Sequence, residues 1–318
     1  MSISVNTQKL YVRTISKLRN YYLINDLNDF DNVMSKLNTI ENDRMIKLYI
    51  ASIIWWDRCV QKNIDTAKFQ RIDEDVMKKY GKVLSEKSKK ISEIDESGKM
   101  TDKQEKKLLS WDKIIKIRET IMSTDDNFLE KMLICLYTYI PPRRLEYVYM
   151  YYIDEHHSKE FNEDLDKNYC IDDGIEIYFI INKFKMFYKM GRIKFIVPYK
   201  LKKIIRHYVK HNDIENEKKI LGVNTESSLT SKLKKMFDKY TSNNGFSVQM
   251  LRHSFSSFIY DAPTRPTPGE WRSIAKLMGH NMREHMNYSK KIDFDMAEYK
   301  KIYDDDVHNM LKIKILKK

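Results

Sequence analysis

Residues 175–198 read IEIYFIINKFKMFYKMGRIKFIVP, a stretch of this 318-residue chain dense in β-branched and aromatic residues. Ile, Val, Phe and Tyr suit a pleated, half-buried surface, and Gly191 punctuates the run, so the stretch predicts a small antiparallel sheet or hairpin. Outward from it, in both directions, apolar residues recur at helical spacing. Helical patterns fill 199–318, interrupted at 242–245 and by the proline-rich DAPTRPTPG at 261–269. Upstream, 128–139 and 111–122 are helical, after which Pro141 and Pro142 lack amide hydrogens and must restart the chain. The next helix is expected to begin at Arg143 and Arg144.

From 7 to 80 the pattern is again helical, as in Leu10, Ile15, Leu18 and Tyr22, then Ile46, Leu48, Ile50, Ile53, Ile54 and Trp55. Residues 83–109, VLSEKSKKISEIDESGKMTDKQEKKLL, are charged and poor in large apolar residues, which suits a solvated helix end followed by a linker. This divides the chain into a helical domain, 1–105, and a mainly α second domain, 106–318, that carries the small sheet. No internal repeat is visible.

Lys and Arg number 58 against 45 Asp and Glu, a net charge of +13, which favours a polyanionic partner such as nucleic acid or an anionic membrane. Part of that excess goes with a general richness in Lys, Asn and Ile, so charge alone names no reaction. Cys59, Cys135 and Cys170 lie far apart without a CxxC pair, which argues against a disulfide framework or a cysteine zinc site and for a reducing compartment. The start MSISVNTQKLYVRT has no apolar signal core, and no run approaches the ~18 apolar residues of a membrane span. The expectation is a soluble, intracellular protein with no membrane partner.

The second domain gathers cations and a hydroxyl in a particular order: Arg143 and Arg144, Lys183 and Lys185 in the hairpin, Arg252 in LRHSF, His280 after Gly279, then Tyr288. Such a set suits phosphoryl transfer. A phosphodiester under in-line attack spreads negative charge over its non-bridging oxygens, which guanidiniums and an imidazole stabilise by preorganised hydrogen bonds. A phenol, with an ordinary pKa of about 10, becomes a nucleophile where a cationic cluster favours its phenolate.

These residues resemble the tyrosine recombinase (phage-integrase) family. YIPPRRLEYVYM looks like its first-arginine motif, INKFKM its hairpin lysine, QMLRHSFSSF its second-arginine box, and IAKLMGHNMREHMNYSKK its histidine-to-nucleophile segment, in the same order across 111–291. The forms PPRR and GH with Tyr eight residues on look most like recombinases of large DNA viruses, virophages and related mobile elements. The resemblance implies an α-helical catalytic domain with a small β-hairpin sheet, preceded by a helical core-binding domain, the two clamping duplex DNA. It implies that Tyr288 attacks the scissile phosphate to leave a 3′-phosphotyrosine while Lys185 protonates the departing 5′-oxygen, without metal or cofactor. It implies site-specific recombination or integration by a homo-oligomer, dimer or tetramer, on double-stranded DNA.

Three departures stand out. Gln249 occupies the position where the family usually has a histidine, and an amide cannot exchange a proton. The interval from His280 to Tyr288 is one residue shorter than usual, which leaves Tyr299 and Tyr303 as alternative nucleophiles. The first arginine is Arg143 counted back from Glu146, or Arg144 read as PPxR; the latter is preferred.

Each residue also has a plainer reading. Among 21 tyrosines Tyr288 alone would be a packing residue, and Lys183 and Lys185 alone would be edge-strand charges. Two cations at a helix start oppose its dipole, which makes an anionic partner the better explanation for Arg143 and Arg144. His253 is expected to pack or bond a carbonyl, His207 and His211 to lie on a surface helix rather than bind metal, and Trp55 and Trp56 to be core. A type IB topoisomerase would use a similar set as a single protomer, and a silent DNA-binding protein could keep the same fold. Phe294, Met296, Tyr299, Ile302 and Tyr303 make the tail, 292–318, amphipathic, and it is expected to leave its own domain and dock on a neighbouring protomer, which favours recombination.

Overall fold

The computed structural model describes residues 3–61, 70–97, 100, 105–123, 127–241, 245–261, 265–282, 285, 288–289 and 300–316. The chain divides into two compact units, Met1–Ser97 and Gly98–Lys318. The division falls within the charged stretch 83–109.

In the first unit the described elements are helices α1 (Val5–Asn20), α2 (Phe30–Leu37), α3 (Asp43–Gln61) and α4 (Glu74–Glu96). Ser4 and Asp29 cap the first two by accepting the amides of Thr7 and Asn32, which satisfies donors that a helix start leaves orphaned. Ile15, Leu18, Val33, Leu37, Ile46, Ile50 and Ile53 form the core with Tyr80, whose hydroxyl donates to the Leu27 carbonyl at 2.9 Å. Trp56 is buried there and Trp55 packs against it. Lys87 and Lys90 pair with Asp43 at 2.6 and 2.8 Å, tying the charged face of α4 to the start of α3.

The second unit is mainly helical with a small mixed sheet. Helices α5 (Trp111–Ser123) and α6 (Phe128–Thr138) lead into the proline pair. The expected helix at Arg143 does not form. Residues 141–144 form no regular secondary structure, and only a 3-10 turn, Glu146–Tyr149, precedes strand β1 (Met150–Ile153). The segment YVYMYYI is β-branched and aromatic, and it gains more as a strand paired in a sheet than as an isolated helix. The helix-dipole reading of the arginine pair therefore does not apply.

The sheet has five strands in the order β1–β2–β3–β4–β5, with β2 at Asn168–Asp172, β3 at Ile177–Ile181, β4 at Ile193–Ile196 and β5 at Ile315–Leu316. β1 pairs with β2 in parallel and the other pairs are antiparallel, so the hairpin of 175–198 is the centre of a larger, mixed sheet. A one-turn helix, α7 (Phe187–Met190), joins β3 to β4, and Gly191 ends it at φ 65°. Side chains alternate between the faces. Tyr152, Cys170, Phe179, Ile181 and Phe195 enter the main core, while Ile153, Tyr169, Ile171 and Ile180 form a smaller cluster on the other side.

Helices α8 (Tyr199–His211), α9 (Glu226–Tyr240), α10 (Val248–Tyr260) and α11 (Pro268–Leu277) follow, and a π-helical turn, Tyr303–Val307, runs into a short helix, α12 (His308–Leu311). α10 is buried on nearly all sides, which its serines allow: Ser254 donates to the Leu109 and Met250 carbonyls and Ser257 to that of His253.

The tail overturns one expectation. Ile302, Val307, Met310 and Ile313 are buried in the core of their own unit, Arg118 and Asp306 form a buried ion pair at 2.7 Å, and β5 adds to β4. The described part of the tail, residues 300–316, thus has a partner in cis, supplied by long-range packing that no local pattern announces. Phe294, Met296 and Tyr299 lie outside the described residues.

Candidate active site

The site grows from α10, whose first turn Ser247 caps by accepting the Met250 amide. One turn in, Arg252 is fully buried, and its Nη1 donates to the carbonyls of Pro142 at 3.0 Å and Met278 at 2.8 Å. Its Nη2 reaches His280 Nδ1 at 2.8 Å, and its guanidinium lies 4.7 Å from the centre of the Tyr288 ring. One side chain thus ties the Pro142 segment, 110 residues earlier in the chain, to the Met278–His280 turn and to Tyr288.

α11 carries the second piece. A capping box between Thr267 and Glu270 starts it, and the turn Met278–Gly279 ends it. Gly279 has φ 71°, and a Cβ there would stand 2.9 Å from Arg143 Nη2 and 3.4 Å from the Phe184 ring. The turn requires glycine on both counts. It holds His280 with its amide on the Ala275 carbonyl at 3.0 Å.

Arg143 is buried too. Its Nη1 donates to the Leu277 carbonyl, its guanidinium lies 5.3 Å from the Phe184 ring, and the Glu146 carboxylate stands 3.7 Å from Nη2. Arg144 is half-buried and donates to the Gly279 carbonyl at 3.1 Å. Both arginines of the pair therefore reach the same turn.

Tyr288 completes the group at 8 % exposure. Its ring lies 5.1 Å from that of His280 and 4.8 Å from that of His253, and its hydroxyl makes a long, 3.4 Å hydrogen bond to Gln249 Oε1. Burial alone would raise its pKa, but the charge and hydrogen bond of Arg252, with Arg144 and Gln249 behind them, bring it below the ordinary 10. His253 does bond a carbonyl, that of Tyr288 itself, at 2.8 Å.

His285 was not singled out from the sequence, since nothing in GHNMREH marks the second histidine. It is fully buried, its ring 5.0 Å from Trp271, and its Nδ1 stands 3.0 Å from His280 Nε2. A guanidinium only donates, so His280 Nδ1 must accept from Arg252, which puts the His280 proton on Nε2. That proton faces His285 Nδ1, which leaves the His285 proton on Nε2. Burial, followed by the nearby Arg252 charge, depresses both imidazole pKa values, His285 to about 3 and His280 further, so both are neutral near pH 7.

Asn168 was missed as well. Its amide nitrogen donates to the carbonyls of Glu146 at 2.8 Å and Lys183 at 3.3 Å, and its oxygen accepts the amides of Asn182 at 2.9 Å and Lys183 at 2.7 Å. This side chain clamps the first-arginine segment to the loop of the two lysines. Lys183 lies 4.4 Å from the Tyr149 ring, while Lys185 is exposed and no described contact joins it to the cluster. Tyr303 is half-buried in the tail core, and Tyr299 lies outside the described residues.

Several buried side-chain atoms here have no hydrogen-bond partner among the described residues: Arg143 Nε and Nη2, Arg252 Nε and His285 Nε2, all donors. The one orphaned carboxylate oxygen beside them is Oε2 of Glu146, whose Oε1 stands 3.7 Å from Arg143 Nη2. Unmet donors of this kind suit an anion. Among the described residues no group of three His, Cys, Asp or Glu is placed to hold a metal, and the exposed His207 and His211 pack on Phe128. No described helix is long and apolar enough to cross a membrane.

No family model and no curated protein matches the sequence. Among solved structures, the crystal structure of XerA recombinase is similar over 95 % of this chain and 92 % of that one, at 11 % identity and a TM-score of 0.41.

Proposed function

We propose that the chain breaks and rejoins DNA strands through a covalent tyrosyl phosphate, with Tyr288 as nucleophile, in site-specific recombination or integration on double-stranded DNA. The observation that carries this reading is the phenol of Tyr288 held against buried Arg252, in a cluster whose unmet side-chain groups are nearly all cationic or neutral donors. The Tyr288 Oη–P bond forms as the P–O5′ bond breaks, the phenolic proton having already left to water. The 5′-oxygen takes its proton from Lys185, and the 3′-phosphotyrosine stores the bond for rejoining. Arg252, with Arg143 or Arg144 and His280, stabilises charge on the non-bridging oxygens. Since Arg143, Arg252 and His280 are fully buried, a phosphodiester reaches them only when the surrounding chain shifts.

A second reading, a type IB topoisomerase acting as a single protomer, draws support from the described part of the tail, 300–316, which packs in cis. Incubation with a pool of nicked duplexes of randomised sequence, followed by a denaturing gel, tests both readings. An adduct that Tyr288→Phe abolishes at unchanged duplex affinity supports the covalent chemistry, and strand joining between two different duplexes separates recombinase from topoisomerase. Duplex binding without any adduct would make the chain a silent DNA-binding protein.

A further inference from the structure

We infer that His285 is a further catalytic residue of this site, its Nε2–H donating to a non-bridging oxygen of the phosphate that Tyr288 attacks. The inference rests on the reading of Tyr288 as nucleophile. Its basis is the run of hydrogen bonds from Arg252 to His280 to His285, in which every nitrogen's role is set by a guanidinium that can only donate. The run ends on an imidazole N–H that is fully buried and has no acceptor among the described residues. Leaving such a donor without a partner is costly, so a packed interior tolerates it where an acceptor arrives later.

Position points the same way. His285 lies three residues before Tyr288, whose amide donates to the His285 carbonyl at 3.0 Å, so a backbone hydrogen bond joins the nucleophile's residue to the imidazole's. The neighbouring orphans, Arg143 Nε and Nη2 and Arg252 Nε, are likewise donors. Gln249 holds only a long hydrogen bond to the phenol and brings no imidazole, so His280 and His285 provide the imidazoles hydrogen-bonded into the arginine cluster, beside His253, which is spent on a backbone carbonyl. No extra reactant is needed, because the N–H stabilises charge while Oη–P forms and P–O5′ breaks.

The test uses the full chain and nicked duplexes. His285→Leu is expected to slow adduct formation on the order of 100-fold, as for loss of one preorganised donor, with duplex affinity unchanged. His285→Gln, whose amide can present an N–H near the Nε2 position, should recover part of that loss. The deficit should persist when sulfur replaces the bridging 5′-oxygen, because a thiolate leaves without an acid. A Leu variant as fast as wild type, Leu and Gln variants equally slow, or rescue by the sulfur substrate each overturns the inference while the Tyr288 adduct stands. Absence of any adduct at Tyr288 in the wild type overturns the underlying reading and this one with it. Should the variants misfold, histidine labelled with 15N in the wild type supplies the readout: an Nε2–H resonance of the His280–His285 pair shifts on binding duplex, and no shift overturns the assignment.

Discussion

Asn168→Leu keeps the volume of a buried side chain and removes its hydrogen bonds. Four contacts disappear, at 2.7, 2.8, 2.9 and 3.3 Å, the weakest being that to the Lys183 carbonyl. Two amides and one carbonyl then lose good partners, each worth about 1–3 kcal/mol if left unpaired. Two of the four contacts are only part-buried, where water recovers some of the loss, so the expected destabilisation is about 4 kcal/mol. In a unit of roughly 200 residues that lowers the melting temperature by about 8–16 °C. Calorimetry of the full chain, following the transition of the Gly98–Lys318 unit, measures it. The loop of Lys183 and Lys185 loses its anchor too, so adduct formation should fall at temperatures where the variant is still folded. A loss below 1 kcal/mol would refute the view that this amide joins the arginine segment to the lysine loop.

Adduct formation should rise with pH from neutrality and level off before pH 10, since the lowered Tyr288 pKa fills the phenolate earlier than in a free phenol, and Arg252→Ala should move that midpoint up; a profile unchanged by the substitution contradicts the cause assigned here. Stability should fall below about pH 6, because the unfolded chain takes up protons that buried neutral His280 and His285 refuse, at about 1.4 kcal/mol per pH unit for each, and His285→Gln should flatten the slope by one proton in urea titrations. Gly279→Ala places a Cβ 2.9 Å from Arg143 Nη2 at a positive φ, so it should cost about 1–3 kcal/mol in thermal unfolding and slow the adduct; a neutral result would mean that the turn yields easily. Asp306→Leu leaves Arg118 buried and unpaired, and a loss of about 3–5 kcal/mol is expected by denaturant unfolding if the tail packs in cis in solution.

Much of this protein is readable from local pattern. The β-branched run at 175–198, the helical spacing on either side, the charged stretch before the second unit and the order of Arg, Lys, Arg, His and Tyr all lie in the chain itself, because periodicity and residue type act over a few neighbours. What tertiary structure decided depends on contacts between distant segments. β1 and β2 pair in parallel, and β5 comes from the far end of the chain, so no hairpin signal precedes them. The arginine pair sits on irregular backbone rather than a helix start because the sheet claims the residues that follow. The amphipathic pattern of the tail is equally compatible with docking on a neighbour or on its own unit, and for the described residues 300–316 packing alone chose the latter. His285 and Asn168 carry no signature in sequence, since a buried imidazole proton or a clamping amide acquires its role only from the groups that folding brings within 3 Å or so of it.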